Sequence, residues 1–394
     1  MFPFSARLPI GLPSNAIANA IAELRSAGAA IVDLTETNPT LVGLPYPPAA
    51  VAALADPRGL TYQPESLGMA PAREAVAREH ARNGVSIDPS RIVLTTSTSE
   101  AYALLFKLLC DPGDDVLVPQ PGYPLFESLA GLESVRVNPY RLDYHGRWSI
   151  DRQSVASALT TRTRAVFVVT PNNPTGSMLR AADRDWLAEL AVARGLAIIS
   201  DEVFRDYALR PGADAVSLAG ESRALTFVLG GLSKSAGLPQ MKLGWIAVSG
   251  PDADVTRAIG QLDVICDTYL SVATPVQIAA PALIEAGAAI REAIHGRIRR
   301  NLDALQELLQ PASAVTLLQP EGGWSVVVRV PATSSEESQV LRLLRDHHVL
   351  VHPGYFFDFS SEAFIILSLL PKPEEFDEGV RRVLAGIGIQ SVAS

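Results

Sequence analysis

Changes in the hydrophobic pattern along the chain predict an α/β domain in its middle. Between about residues 90 and 250, short and continuous apolar runs alternate with stretches of helical periodicity. The runs that predict buried strands are RIVLTT (91–96), DDVLVPQ (114–120), RAVFVVT (164–170), GLAIISD (195–201), ALTFVLGG (224–231) and LGWIAVSG (243–250). Strands that alternate with helices favour an α/β fold in which helices cover both faces of a mostly parallel, mixed sheet.

The two ends of the chain have a different pattern, which predicts a smaller α+β domain. Residues 288–309 form an amphipathic helical pattern, and a capped helix is predicted within SNAIANAIAELRSAG (14–28). Short apolar runs follow in GGWSVVVRVP, VLVHPG and AFIILSLL, with a last helix from about Pro373. We therefore predict a large domain over 47–287 and a small domain built from 1–46 and 288–394.

Composition excludes several classes of protein. The 394 residues are 48% hydrophobic and 19% charged, which is typical of a folded chain, and the net charge of −9 argues against nucleic-acid binding. Cys110 and Cys266 lie in apolar surroundings and indicate a reducing compartment. With neither a signal-peptide pattern nor a membrane-spanning run, we expect a cytoplasmic protein without a membrane partner. No metal-ligand motif occurs, and we expect no metal site.

Polar residues follow the predicted strands where ligands bind in open α/β sheets. Thr95 begins TTSTSE, which opens a helix and would offer hydroxyl and N–H donors to a phosphate; ordinary N-capping is the alternative. TPNNPTG (170–176) follows the next strand and taken alone is a turn. Asp201 ends another strand, where a buried carboxylate needs a donor or cation, and a cap or salt bridge is the alternative.

Lys234 follows the strand that ends in LGG, within the segment LGGLSKSAGLPQMKLGW (229–245). A solvated surface lysine is one interpretation, and an amine that forms a Schiff base is the other. Successive strand ends thus carry donors for a phosphate, an amide, a buried carboxylate and a lysine. Pyridoxal phosphate needs each of these groups for its binding and its chemistry. The lysine would bind the aldehyde, and the carboxylate would keep the ring nitrogen protonated.

These segments resemble those of the class I/II aminotransferases, which are pyridoxal-phosphate enzymes of fold type I. SKSAGLPQMKLGW is similar to the family's Schiff-base segment, TPNNPTG to its cofactor-amide motif and SDEV to its pyridinium-pairing motif. The resemblance covers nearly the whole chain. It implies the large and small domains of that fold, a homodimer with shared active sites, and cytoplasmic amino-acid metabolism.

The resemblance also implies roles for individual residues. Lys234, Asp201 and Tyr123 are implied as catalytic, with Tyr123 of PQPGYPLF stacking on the cofactor ring. The residues implied to bind the cofactor, beside those three, are Thr98, Ser99, Asn173, Ser233, Lys242 and, from the neighbouring subunit, Tyr62. Asn38 of LTETNPT is a candidate for substrate binding, as is Arg329, for which a surface position on an edge strand is the alternative.

Three positions depart from the family pattern. Lys242 stands where the family has an arginine that contacts the phosphate. The positive charge is kept, but the two parallel hydrogen bonds that a guanidinium can donate are lost. Phe204 replaces a tyrosine that donates to the cofactor's ring oxygen, and we predict a raised pKa for the lysine–cofactor Schiff base. Ile366 replaces the arginine that clamps the substrate carboxylate, for which Arg329 and Lys372 are substitute candidates.

The predicted activity is transamination between an amino acid and a 2-oxo acid, with Lys234 as the general acid and base of the proton shift. The scaffold leaves open a pyridoxal-phosphate lyase, a decarboxylase or an oxidase, because a fold does not determine a reaction. A non-catalytic regulatory protein is a further alternative, although the chain has no DNA-binding segment. A nicotinamide dehydrogenase would need a GxGxxG motif after its first strand, which is absent.

Overall fold

The computed structural model describes residues 4–8, 15–210, 212, 214–310 and 314–388. The strands in these ranges are, in chain order, β1 Val32–Asp33, β2 Ile92–Thr95, β3 Asp115–Gln120, β4 Arg136–Tyr144, β5 Trp148–Ile150, β6 Thr163–Val169, β7 Ala197–Asp201, β8 Thr226–Gly231, β9 Gly244–Ser249, β10 Thr316–Leu318, β11 Ser325–Arg329, β12 Val349–Leu350, β13 His352–Pro353 and β14 Phe364–Ser368.

The helices are α1 Ala16–Ser26, α2 Ala49–Ala52, α3 Ala70–Arg82, α4 Thr98–Leu109, α5 Phe126–Leu132, α6 Arg152–Ala158, α7 Ala181–Arg194, α8 Leu232–Ser235, α9 Asp252–Tyr269, α10 Thr274–Leu309, α11 Glu336–His347 and α12 Pro373–Ile387. Short 3₁₀ turns occur at 53–55, 57–60, 89–91, 239–241 and 354–357. Local sequence accounts for several helix ends. Asn15 and Ser97 cap α1 and α4, and Gly195 ends α7 in the left-handed conformation.

The large sheet contains eight strands in the order β2-β9-β8-β7-β6-β3-β4-β5. Strands β4, β3, β6, β7 and β8 run parallel, whereas β9 is antiparallel to both β8 and β2, and β5 is antiparallel to β4. Strand β2 therefore points the same way as β8. The carboxyl ends of β2, β6, β7 and β8 meet at one edge, which is the edge where the sequence places its polar residues.

The core of the large sheet explains why its strands are continuous apolar runs. Strands β7, β8 and β9 are buried along their whole length, with separate hydrophobic clusters on the two faces. The mixed, mostly parallel α/β fold predicted from the pattern is confirmed. Each of the six strand segments predicted between residues 91 and 250 overlaps an observed strand.

The small sheet has the order β10-β11-β14-β13, and β1 near the chain start pairs in parallel with β12. Ser368 Oγ donates to the carbonyl of Glu36 at 2.6 Å, which ties the start of the chain to β14. Helix α10 is continuous from Thr274 to Leu309, so the predicted domain boundary at 287/288 falls inside a helix. The division into domains stays a prediction.

Within the described ranges, no helix is both long and apolar enough to cross a membrane. Cys110 and Cys266 are free thiols, and the second is buried. The cytoplasmic location stays a prediction.

Candidate active site

A cavity of about 210 Å³ lies at the carboxyl edge of the large sheet, against the small sheet. Its wall brings together six residues that the sequence predicts as site residues: Thr98, Tyr123, Asn173, Asp201, Ser233 and Lys234. They come from the ends of β2, β3, β6, β7 and β8, because parallel strands deliver their following residues to one edge. The wall is completed by Thr37, Ser97, Val169, Val203, Phe204, Gly231, Leu243, Gly244, Trp324 and Ser325.

Lys234 is half-buried, and its amine has no polar partner among the described residues. It lies in the short helix α8, directly after β8, and Nζ is 4.9 Å from the ring centroid of Trp324 and 5.5 Å from that of Phe204. No hydrogen bond or ion pair to Nζ occurs in the part of the chain that the structure describes. Burial lowers the pKa of Lys234 to about 8, and the negative charge of Asp201 opposes this shift.

Hydrogen bonds from distant elements hold the backbone around Lys234. The Tyr207 hydroxyl donates to the Lys234 carbonyl at 2.6 Å, and the Arg291 guanidinium donates to the Ser235 carbonyl at 3.1 Å. The Tyr46 hydroxyl donates to the Gly237 carbonyl at 2.7 Å. A four-residue helix is not stable by itself, so these contacts are needed to orient the lysine.

Asp201 lies in the same cavity at the end of β7, and only 7% of its surface is exposed. The Val203 N–H donates to Oδ1 at 3.1 Å, and the Tyr102 hydroxyl donates to Oδ2. Burial raises the pKa of Asp201, while these two hydrogen bonds and the charge of Lys234 act in the opposite direction. The carboxyl group is thus positioned to receive a cationic donor inside the cavity.

The first turn of α4 faces the cavity through Ser97 and Thr98. The Ser97 side chain accepts the Glu100 N–H at 3.1 Å, and Glu100 accepts the Thr96 N–H at 2.6 Å. The alternative of N-capping is therefore correct for Ser97. The N–H groups of Thr98 and Ser99 have no partner within the helix and remain suited to an anion.

Tyr123 and Asn173 contribute an aromatic ring and an amide to the wall. The Tyr123 ring is perpendicular to that of Phe126, with centroids 6.0 Å apart, and burial raises its pKa, which keeps the hydroxyl protonated. Phe204 is also in the wall, and its ring contacts Trp324 edge to face at 5.3 Å. The position where the family has a tyrosine hydroxyl is thus apolar here.

Three predicted residues lie beside the cavity and outside its wall. Ser99 is half-buried in the first turn of α4, one residue after Thr98. Lys242 precedes the wall residues Leu243 and Gly244, but its side chain is exposed. The Asn38 side chain accepts the N–H and hydroxyl of Thr40, at 3.0 and 2.7 Å, within its own loop. Their roles stay predictions.

Tyr62 is 73% exposed and lines a separate surface pocket with Cys266 and Tyr269. It does not reach the cavity of its own chain, which agrees with the implied contact to a neighbouring subunit. That contact stays a prediction.

The structure does not bring Arg329 to the cavity. Ser325, the first residue of β11, lines the cavity. Arg329 is the last residue of the same strand, about 13 Å further along it, and its side chain is exposed. The other substitute, Lys372, is exposed and paired with Glu375 at 3.2 Å. Ile366 is 1% exposed and pairs with Val327, so this position is apolar. Among the described wall residues, Lys234 is the one lysine or arginine.

Sequence reasoning missed several residues of the site. Trp324, Ser325 and Thr37 come from segments whose place relative to the sheet cannot be read from periodicity. Tyr102 could have been found, because it follows Thr98 by four positions and so shares its helix face.

The donor set fits pyridoxal phosphate. A half-buried amine without a partner in the described chain and a buried carboxylate share one cavity with a helix N-terminus, serine and threonine hydroxyls, an amide and a tyrosine ring. Each group matches a part of the cofactor: its aldehyde, ring nitrogen, phosphate, ring oxygen and ring face. A purely structural lysine would instead be paired or solvated.

Comparisons with known proteins agree with this geometry. Residues 30–383 match the family model described as aminotransferase class I and II. The arginine–pyruvate transaminase of Pseudomonas aeruginosa is 32% identical over 329 residues, 82% of each chain, and the glutamate–pyruvate aminotransferase of Haemophilus influenzae is 26% identical over 81% of each. The solved alanine aminotransferase from Pyrococcus furiosus superposes with a TM-score of 0.86 at 25% identity, over 94% of this chain and 96% of that one.

Proposed function

Since the chain belongs to the class I and II aminotransferase family, and is therefore an aminotransferase that depends on pyridoxal phosphate, we propose that this cavity is its active site and that Lys234 carries the cofactor. The observation that supports this most strongly is that Lys234 and Asp201 line the same cavity. Asp201 is buried, Lys234 is half-buried, and the Lys234 amine has no hydrogen-bond or ion-pair partner in the described chain.

The remaining wall residues are proposed to hold the cofactor at fixed points. The first turn of α4, with Thr98 and Ser99, would bind the phosphate together with Ser233, and Lys242 would add positive charge. Asn173 would donate to the ring oxygen, and Tyr123 would stack on the ring. Asp201 would accept a hydrogen bond from the protonated ring nitrogen.

Bound pyridoxal phosphate supplies an aldehyde that carries the amino group and a ring that withdraws electrons from the reacting carbon. Lys234 Nζ would move the proton between the substrate carbon and the cofactor carbon. Its pKa of about 8 suits this role, because a group that both accepts and donates a proton works best when its pKa is near the working pH. Asp201 would stabilise positive charge at the ring nitrogen, and Trp324 and Phe204 would shield the amine from water.

We propose an amino acid as donor and a 2-oxo acid as acceptor. Two of the relatives are named as transaminases that use pyruvate, which makes pyruvate the first acceptor to test. The amino donor is not assigned by these names, because one relative is named for arginine and the other for glutamate.

The apolar environment of Ile366 supports a second candidate donor. Among the described wall residues there is no cation besides Lys234, so a substrate carboxylate would have no ion-pair partner. An amine without an α-carboxylate would avoid the cost of burying an unpaired charge. We therefore include primary amines as candidate donors beside amino acids.

We also propose a homodimer in which Tyr62 completes the active site of the partner. Tyr62 lies next to exposed apolar residues, with Leu60 at 91% and Tyr269 at 54% exposure. Gly59 approaches Pro275 at the start of α10, and Tyr62 lines one surface pocket with Tyr269 and Leu270, so the loop of Leu60 and Tyr62 and the end of α9 form one surface. Exposed apolar residues concentrated in one surface are typical of protein–protein contacts.

The experiment is a half-reaction screen of the purified holoenzyme. Single amino acids and primary amines are added without an acceptor, and the cofactor absorbance is followed. We expect productive donors to convert the aldehyde form to the amine form, and pyruvate to reverse the change. Lys234→Ala should abolish the conversion, whereas Lys372→Ala, at an exposed lysine outside the cavity wall, should retain it. Release of ammonia by a donor, with the aldehyde form unchanged, would contradict the proposal.

A further inference from the structure

The partner of Asp201 outside the cavity is a buried tyrosine on α4. Tyr102 is 1% exposed, and its hydroxyl donates to Asp201 Oδ2. Its ring packs between Phe126 and Phe167, with centroids 5.6 and 5.5 Å away, so the hydroxyl has little freedom to turn elsewhere. This contact joins the helix that begins at the cavity to the carboxyl group at the end of β7.

The two carboxylate oxygens of Asp201 thus accept hydrogen bonds from different donors. Oδ1 accepts the Val203 N–H at 3.1 Å, and Oδ2 accepts the Tyr102 hydroxyl. A carboxylate has about four lone-pair directions, so acceptor capacity remains for a donor in the cavity. The backbone bond limits rotation of the carboxyl group, and the tyrosine bond fixes its second oxygen. Together they restrict the orientation of the carboxyl group, which lines the cavity.

Burial alone would favour the protonated, neutral form of Asp201, which could not pair with a positively charged ring nitrogen. A donated hydrogen bond stabilises the carboxylate form and counteracts burial. Tyr102 itself remains a donor, because burial and the neighbouring charge of Asp201 raise its pKa well above the ordinary value. The phenol therefore keeps its proton throughout the range in which enzymes of this kind work.

We propose that Tyr102 is a positioning residue that acts through Asp201, and that its hydroxyl keeps the proton shared between Asp201 and the cofactor ring on the ring nitrogen. This inference rests on the proposed role of Asp201. The tyrosine does not touch the cofactor or the substrate. It lowers the proton affinity of the carboxylate, so the electron-withdrawing form of the ring is favoured.

The test follows the ring nitrogen in holoenzyme loaded with ¹⁵N-labelled pyridoxal phosphate. Tyr102→Phe keeps the aromatic packing and removes only the hydroxyl. We expect its ¹⁵N resonance to move towards the value of neutral pyridine, and kcat to fall on the order of tenfold, as for a lost hydrogen bond to a charged group. KM for the amino donor should stay within about twofold, because substrate binding is untouched.

Tyr140→Phe is the matched control. Tyr140 is also 1% exposed, but its hydroxyl donates to the Phe167 carbonyl at 2.8 Å and does not contact a carboxylate. This variant should leave the ¹⁵N resonance unchanged. An unchanged resonance in Tyr102→Phe as well would overturn the inference and assign Tyr102 to packing alone.

Asp201→Asn separates failure of the inference from failure of the proposed site. It should move the resonance fully to the neutral value. If it does and Tyr102→Phe does not, only the inference is wrong; if Asp201→Asn also has no effect, the assigned role of Asp201 is wrong. Should Tyr102→Phe not fold, site-specific replacement of Tyr102 by 4-aminophenylalanine keeps a donor at this position and makes it a weaker one. The resonance should then move towards the neutral value, and no movement would overturn the inference.

Discussion

Lys234 differs from two buried charged residues of the described chain, each of which has its partners within the protein. Arg180 is 6% exposed and is paired with Asp214 and Glu321. Glu336 is 2% exposed and accepts the N–H groups of Tyr355 and Phe364. Lys234, which is half-buried, has no such partners in the described chain, and an unpaired charge that is partly removed from water is costly. That cost is understandable if the amine is held for a covalent partner.

The lowered pKa of Lys234 predicts how cofactor uptake depends on pH. Only the neutral amine attacks an aldehyde, and a lysine with a pKa of about 8 is half neutral at that pH, whereas an exposed lysine is almost fully charged. The rate at which cofactor-free protein takes up pyridoxal phosphate should therefore rise with pH to a midpoint near 8 and then level off. Stopped-flow absorbance measures this rate. A midpoint above 10 would show that burial does not act on this amine.

The phenylalanine at position 204 leads to a prediction for the pKa of the lysine–cofactor linkage. No tyrosine hydroxyl is available at this position to stabilise the deprotonated lysine–cofactor linkage, so the pKa of that linkage should be raised. Phe204→Tyr restores the hydroxyl and should lower the spectroscopic pKa of the holoenzyme by about one unit. Phe356→Tyr, which adds a hydroxyl outside the cavity wall, is the control. Equal pKa values in wild type and Phe204→Tyr would contradict this reading of the residue.

The sequence allowed prediction of those site residues that follow strands of the large sheet. Thr98, Asn173, Asp201 and Lys234 were found because parallel strands bring their carboxyl ends together. Trp324 was not found, because its place depends on how the small sheet packs against the large one. Arg329 was proposed from its charge alone, and the strand register places it at the wrong end of β11 for the cavity.

At the level of elements, the turn 170–176 connects the large sheet to the segment before β11. The N–H groups of Glu321 and Gly322 both donate to the Gly176 carbonyl at 3.0 Å. Gly176 has φ +68°, and a Cβ there would lie 2.6 Å from the Gly322 oxygen. The turn therefore requires glycine for both its conformation and its close contact.

Gly176→Ala should lower the free energy of unfolding by about 3 kcal/mol, from backbone strain and from the clash together. Gly195→Ala is the matched control, because Gly195 has φ +64° and no atom within 4 Å of the added Cβ. It should cost about 1 kcal/mol, from strain alone. Urea unfolding of both variants measures the difference, and equal costs would show that the contact with Gly322 does not matter.

Element boundaries were predicted less well than element types. The strands matched because buried parallel strands are short, continuous and apolar. The helix expected at 288–309 begins at Thr274, because its first turns pack against other helices and lack a clear polar face. Periodicity shows an exposed amphipathic helix well and a buried helix poorly.

For the whole molecule, the account predicts a homodimer whose active sites are shared. Light scattering should give twice the chain mass of 42.0 kDa. Tyr269→Asp should shift the protein towards monomer, because it places a charge in the apolar surface around Leu60 and Tyr62. Val192→Asp is the control, since Val192 is 60% exposed on α7, away from that surface.

Mixed dimers test the sharing of sites. A dimer of one Lys234→Ala chain and one Tyr62→Phe chain would contain one intact site if Tyr62 serves the partner. Activity should then be regained when the two inactive or weakened proteins are mixed and allowed to exchange. Mixing without gain of activity would mean that Tyr62 does not act across the interface.

The central claim is that Lys234 is the residue to which pyridoxal phosphate is bound. Borohydride reduction of the holoenzyme fixes the cofactor to its lysine, and mass spectrometry of the digested protein locates it. The account predicts the added mass on Lys234, in the peptide that contains LSKSAG, and none on Lys242. A cofactor attached to Lys242 or to any other lysine would contradict the proposed active site.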